Sequence, residues 1–120
     1  MKLNNPNRVR IRFAVEFGRG LLIVWPVLSG IVLLMIALGY IAARVEHWPF
    51  GDSVYFALIT GFTVGYGDFV PKQFLSRTCS VSIAFLGIVM TAIIAAAAVK
   101  ALGVAQEVQK SQSDPSPPTT

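Results

Sequence analysis

Thr63-Val64-Gly65-Tyr66-Gly67-Asp68 is the stretch of this 120-residue chain whose residue types and spacing point to a definite chemistry. That chemistry is coordination by backbone oxygens rather than covalent catalysis. Carbonyls along an extended strand alternate in direction. Aiming successive carbonyls the same way needs alternate residues with backbone angles that a Cβ forbids, and Gly65 and Gly67 stand at alternate positions. Val64 and Tyr66 then turn their side chains away from the carbonyl row, and Thr63 adds a hydroxyl at one end. A cation moved into a low-dielectric interior loses solvation worth on the order of 20 kcal/mol, so a ring of fixed oxygens must replace its water. One chain offers a single row, so the ring needs several copies around an axis. Rival chemistries have little support. The one histidine, His47, reads as a solvated loop residue beside Glu46 in preference to a pH sensor. The one cysteine, Cys79, cannot make an intrachain disulfide and reads as a small apolar residue. No acid, base and nucleophile converge, so an enzyme is not expected.

Such a segment must be held by its surroundings, and the composition shows what they are. The sequence is 54% hydrophobic and 13% charged, against roughly 25% charged in soluble domains. From Gly20 to Ala43 the only ionisable side chain is Tyr40, and from Thr78 to Val99 it is Cys79. Each run exceeds the ~20 apolar residues that span a bilayer core, so two membrane helices are expected. The first is too long for the hydrophobic part of a signal peptide. Lys2, Arg8, Arg10, Arg12 and Arg19 precede the first span, and Lys100 and Lys110 follow the second, while only Arg44, Lys72 and Arg77 lie between. Positive residues favour the cytoplasmic side. Both termini are therefore expected inside a cell membrane and the connecting loop outside. Topology accounts for the basic residues, so nucleic acid is not an expected partner.

The expected organisation is an interfacial amphipathic segment over 1–19, a pore domain over 20–110 and a disordered tail over 111–120. In the first, residues 1–7 read as irregular; Val9, Phe13 and Phe17 then share one helical face and Arg8, Arg12 and Glu16 another. The outer helix is placed at about 20–44, with Pro26 in its first turns and with Trp25 and Tyr40 near opposite membrane surfaces. A short helix at about 53–62, capped by Asp52 or Ser53, is too short to cross a bilayer. It reads as re-entrant, a geometry that survives only where protein or a water-filled cavity satisfies the backbone. The inner helix is placed at about 77–109, with Ala92 and Ala95 to Ala98 permitting close helix approach. The tail, rich in proline and serine, lacks apolar residues. Without the flanking spans, Gly-Tyr-Gly-Asp would read as an ordinary turn.

Residues 63–67, set after a short helix and before a second span, resemble the selectivity filter of the potassium channel superfamily. The resemblance implies an all-α membrane protein in which two transmembrane helices flank a re-entrant pore helix and filter. It also implies a fourfold homotetramer, with three identical subunits and the lipid bilayer as partners. Potassium ions would be held by the carbonyls of Thr63, Val64, Gly65 and Tyr66, with Gly67 completing the filter, and no cofactor is expected beyond the permeant ion. Asp68 would bond to aromatic groups behind the filter, with Tyr55 as donor. Gly87 matches the position of a hinge glycine in the inner helix, close helix packing being an equal alternative. Thr91, Ala95 and Val99 follow on its face and would line the cavity and its cytoplasmic constriction.

Three positions depart from the usual pattern. Phe56 cannot donate a hydrogen bond in the aromatic cuff, Ile59 replaces a glutamate found in some relatives, and Phe62 replaces a threonine. No span carries an arginine at every third position, so a voltage sensor of that kind is not expected. A regulatory partner is unspecified by the sequence. The rival functions are a non-selective cation channel of the same fold and a non-conducting subunit that modifies other channels.

Overall fold

The structure is a computed structural model and describes residues 6–113. Three helices follow in order: α1 over Pro6–Glu46, α2 over Phe50–Gly61 and α3 over Phe74–Ser113. Among the described residues there is no strand. Both α1 and α3 are long and apolar enough to cross a membrane. Each exceeds the ~20 residues that a bilayer core requires.

Several expected boundaries move. Residues 8–19 are helical, but they belong to α1 rather than to a separate interfacial element, and Pro6 and Asn7 are helical too. Pro26 consequently lies in the interior of α1 instead of its first turns. Its missing N–H leaves the Leu22 carbonyl without a helical donor, which helices in a membrane tolerate when nearby groups re-satisfy the freed backbone; the Ser29 hydroxyl bonds a different oxygen, donating to the Pro26 carbonyl at 3.1 Å. α3 begins at Phe74 rather than 77 and continues through Ser113, so the first three residues of the expected tail are helical. Residues 1–5 and 114–120 lie outside the described part, and the expectations for them with it.

α2 starts at Phe50, not 53. Neither Asp52 nor Ser53 caps it, because Pro49 occupies the N-cap with φ −58° and no side-chain cap bond. Proline presets a helical φ, which allows the earlier start. Asp52 then falls in the first turn, where a carboxylate suits the helix dipole. Ser53 sits inside the helix and donates back to the Phe50 carbonyl at 2.6 Å.

The chain divides into two compact units. In the first, residues 6–24 of α1 and 94–113 of α3 meet along small side chains. Ala101 and Ala105 are buried, and Gly20 faces Ala97 closely enough that an added Cβ would lie 3.7 Å from the Ala97 Cβ. This is the close approach that small residues permit. Phe13 and Phe17 stack with centroids 6.0 Å apart. A cavity of about 130 Å³ is lined by Arg12, Glu16, Val104, Ala105 and Val108.

The second unit, residues 25–93, contains α2 with the adjoining parts of α1 and α3. Its core is Met35, Ala42, Phe56, Ala57, Cys79 and Ile83, with Ile31, Leu38, Trp48, Phe69 and Leu86 packed around it. The buried residues of α2 are Ser53, Phe56, Ala57 and Gly61, on one face at spacings of three and four. Their sizes explain the packing. Small residues let α2 approach its neighbours at backbone distance: a Cβ on Gly39 of α1 would stand 2.7 Å from the Ala57 Cβ and 2.8 Å from the Ser53 carbonyl oxygen.

Candidate functional site

The Thr63–Gly67 segment starts where α2 ends, and its first amides are tied to that helix. Phe62, the C-cap, donates its N–H to Leu58 at 2.8 Å, and the Thr63 N–H reaches the Thr60 carbonyl at 3.1 Å. The N–H groups of Val64 and Gly65 both reach the Ile59 carbonyl, at 2.9 and 3.2 Å. Carbonyls that a helix end leaves unpaired thus receive donors from the next four residues. Ile59, a departure from the family pattern at its side chain, contributes here through its backbone.

The segment has an alternating backbone. φ is positive at Thr63 (59°), Gly65 (52°) and Gly67 (80°), whereas Val64 and Tyr66 are not in that region. Glycine carries such angles without a Cβ clash. Thr63 is β-branched and is held there at a strain of about 1–3 kcal/mol, which persists only because the surroundings over-determine it. Its hydroxyl donates to the Phe62 carbonyl at 2.7 Å. All five side chains or glycine backbones are exposed within the single chain, Tyr66 at 72%. Val64 and Tyr66 are thus left uncovered by the rest of the chain.

Behind the segment stands an aromatic group drawn from three places in the sequence. Trp48 meets Phe56 edge-on at 5.2 Å and Phe69 at 5.1 Å, and Tyr55 meets Phe69 at 5.9 Å. The Tyr55 phenol is raised above its ordinary value by desolvation first and then by the neighbouring Asp68. Phe56 lacks a donor, and Trp48 from the loop before α2 packs edge-on against its ring. Sequence spacing gives no hint of Trp48 or Phe69, because their contact depends on how the loops fold back.

Glu46 is a second residue that motif reading misses. One of its carboxylate oxygens accepts the N–H groups of Lys72 and Gln73 at 2.7 and 2.8 Å, together with the Ser76 hydroxyl. The Gln73 side chain returns a bond to the Val45 carbonyl at 2.8 Å. The end of α1 therefore caps the start of α3, which is why α3 begins early. These bonds hold the Glu46 carboxyl below its ordinary 4.5, the Gln73 amide contributing most, then the Ser76 hydroxyl, with Lys72 adding a bond and a positive charge. Nearby, His47 has φ 62° and the Trp48 N–H closes onto the Ala43 carbonyl at 2.8 Å. That is a helix C-terminal lock, so His47 has a backbone duty.

Of the residues assigned to gating, Gly87 is buried against Gly61, and the Thr91 hydroxyl donates to the Gly87 carbonyl at 2.9 Å. Thr91 is exposed, and so, in the other unit, are Ala95 and Val99. Among the described residues no group of acidic, histidine or cysteine side chains could hold a metal ion.

A family profile described as ion channel matches residues 20–103, more than two thirds of the chain. The chain belongs to this ion channel family. It is therefore a membrane protein and not an enzyme, and the resemblance to the potassium channel superfamily holds. Over 67 residues it is 37% identical to probable potassium channel protein 2 of Methanocaldococcus jannaschii, covering 56% of this chain and 19% of that protein. Potassium channel protein 1 of the same organism is 38% identical over 58 residues, 48% of this chain and 17% of that one. Open rectifier potassium channel protein 1 of Drosophila melanogaster is 33% identical over 49 residues, 41% of this chain and 5% of that one. The channel thus matches less than a fifth of the length of each of these relatives. No solved structure matches it significantly.

Proposed function

We propose that this ion channel is potassium-selective and that four copies of the chain surround one pore, with Thr63–Gly67 as the filter. The observation that carries the reading is the alternation of backbone handedness at Thr63, Gly65 and Gly67. That alternation is what a row of carbonyls facing one axis needs, because regular strand geometry would turn every second one away. The carbonyls of Thr63, Val64, Gly65 and Tyr66 are the ion ligands in this reading. The exposed faces of Val64 and Tyr66 support an assembly that covers them, and a single row per chain leads to the fourfold ring. The end of α2 at Gly61 brings a partial negative charge near the inner end of the filter, which favours a cation there. Tyr55 and Asp68 support the filter from behind.

The printed names of the relatives agree with potassium as the permeant ion. The arginines and lysines that lie before the first apolar run and after the second support a reading with both termini on the cytoplasmic side of the cell membrane. Reversal potentials of the purified protein in bilayers, under opposing potassium and sodium gradients, test the reading. A potential near the potassium equilibrium value is expected. Equal permeability to the two ions overturns selectivity, and absence of current points instead to a modifier of other channels.

A further inference from the structure

Gly87 has no room around it. A Cβ at this position would lie 2.5 Å from the Gly61 carbonyl carbon and 2.8 Å from the Gly61 Cα, and closer still to the carbonyl oxygen. All three are backbone atoms, which cannot rotate aside. Gly61 in turn ends α2, and the next residues are Phe62 and Thr63, whose amides bond to Leu58 and Thr60. On the opposite side, Met35 of α1 lies against Gly61, and Gly39 lies against Ala57 and Ser53. The last turns of α2 are therefore held between two helices, and at Gly61–Gly87 no side chain cushions the contact. The Gly87 carbonyl also receives the Thr91 hydroxyl at 2.9 Å, a back-bond that tends to bend helices.

We propose that the Gly61–Gly87 backbone contact is the element through which the position of α3 sets the geometry of Thr63–Gly67. The two glycines are then positioning residues for ion selection. The proposal rests on the potassium-pore reading above. A shift of α3 at Gly87 presses directly on the carbonyl of Gly61, and the neighbouring carbonyl of Ile59 holds the Val64 and Gly65 amides. A ligand constellation must be held to within about 0.5 Å to work, and a backbone-to-backbone contact offers no softer element to absorb that displacement. A glycine serving only as a hinge needs free space and owes nothing to Gly61. The two roles differ in what they change: a hinge alters how often the pore opens, whereas this contact alters which ion passes.

Bilayer recordings of wild type, Gly87→Ala, Gly61→Ala and the double variant decide it, with Gly103→Ala as control. Gly103 is also in α3 but has nothing within 4 Å of an added Cβ. Gly87→Ala is expected to lower the potassium-over-sodium permeability ratio by roughly tenfold or more, the scale of loss seen when groups that orient the ligands of a cation are altered. Gly61→Ala lowers it less, because its Cβ meets the flexible end of Met35. The double variant is non-additive, as for residues in contact, and Gly103→Ala keeps the wild-type ratio. An unchanged ratio in Gly87→Ala, with only open probability altered, overturns the proposal in favour of a hinge. If the Gly87→Ala tetramer does not assemble, a tandem-linked tetramer carrying one altered copy must still show a reduced ratio, and a wild-type ratio there overturns the proposal equally. Wild-type recordings separate the two levels: a non-selective wild type defeats the pore reading together with this one, whereas a selective wild type with a selective Gly87→Ala defeats this one alone.

Discussion

Substituting Gly39 by alanine tests whether α2 is held by backbone-distance packing. The added methyl would stand 2.7 Å from the Ala57 Cβ and 2.8 Å from the Ser53 carbonyl oxygen. Ordinary contact needs more than 3.4 Å, so α1 and α2 must part by several tenths of an ångström. Overpacking of this kind costs about 1–3 kcal/mol. Gly→Ala in a helix interior also gains about 0.5–1 kcal/mol from propensity. Gly30→Ala supplies the reference, since it lies in the same helix with nothing within 4 Å of its Cβ. The propensity gain is common to both variants, so their difference isolates the steric cost, and Gly39→Ala should be less stable than Gly30→Ala by about 1–3 kcal/mol. Reversible unfolding in mixed micelles, followed by circular dichroism, measures the gap. Adding Ala57→Gly to Gly39→Ala should cost less than Ala57→Gly does in the wild type, a favourable coupling that is only partial because the Ser53 carbonyl still opposes the methyl. Equal stability of Gly39→Ala and Gly30→Ala would refute the packing account.

Three further outcomes follow from the site. Glu46 is held below 4.5 by its hydrogen bonds, so its stabilising effect is present above that pH and fades as pH falls through its lowered value. Assembly and conduction should therefore be insensitive to external pH near neutrality and decline below about 4.5, whereas Glu46→Gln should lose that acid limb; an identical acid profile in both would sink the idea. Phe69→Leu removes the edge contacts with both Trp48 and Tyr55, worth about 0.5–1.5 kcal/mol each beyond area, and thermal unfolding should show a loss of roughly 1–3 kcal/mol. Gly65→Ala meets no atom within 4 Å, but its φ is 52°. Conduction should be lost while unfolding moves by only about 1–2 kcal/mol, the cost of a left-handed residue with a Cβ.

The legible parts of the sequence are those in which the physics is local. Two apolar runs announce α1 and α3, and the alternating glycines announce positive φ at 65 and 67. The misreadings have a shared cause. Pro26 looks like a first-turn proline because the apolar run begins at Gly20, but the helix begins at Pro6 since residues 6–19 have a partner in 94–113. Asp52 and Ser53 look like caps by residue type, but Pro49 had already fixed the helical φ. Glu46 and Ser76 lie thirty residues apart, and only the fold brings the start of α3 to that carboxylate. Positive φ at Thr63 is also invisible, because a β-branched residue adopts it only under pressure from its surroundings.

The glycines show where sequence reading stops and why. Gly30, Gly39, Gly61 and Gly87 are alike in composition, and each sits within or at the end of a helix. In space they divide sharply: Gly30 faces nothing, Gly39 and Gly87 face backbone, and Gly61 faces a methionine that can yield. Without a hydrophobic force between helices in lipid, close packing of small residues is what holds them. The glycines that touch backbone thus fix the height and tilt of α2, and α2 fixes the four amides that follow it. A one-methyl change at Gly39 or Gly87 acts on Thr63–Gly67 without touching it, while the same methyl at Gly30 acts on nothing. The sensitivity of this channel should therefore follow what each glycine faces, not its distance along the chain from Thr63–Gly67.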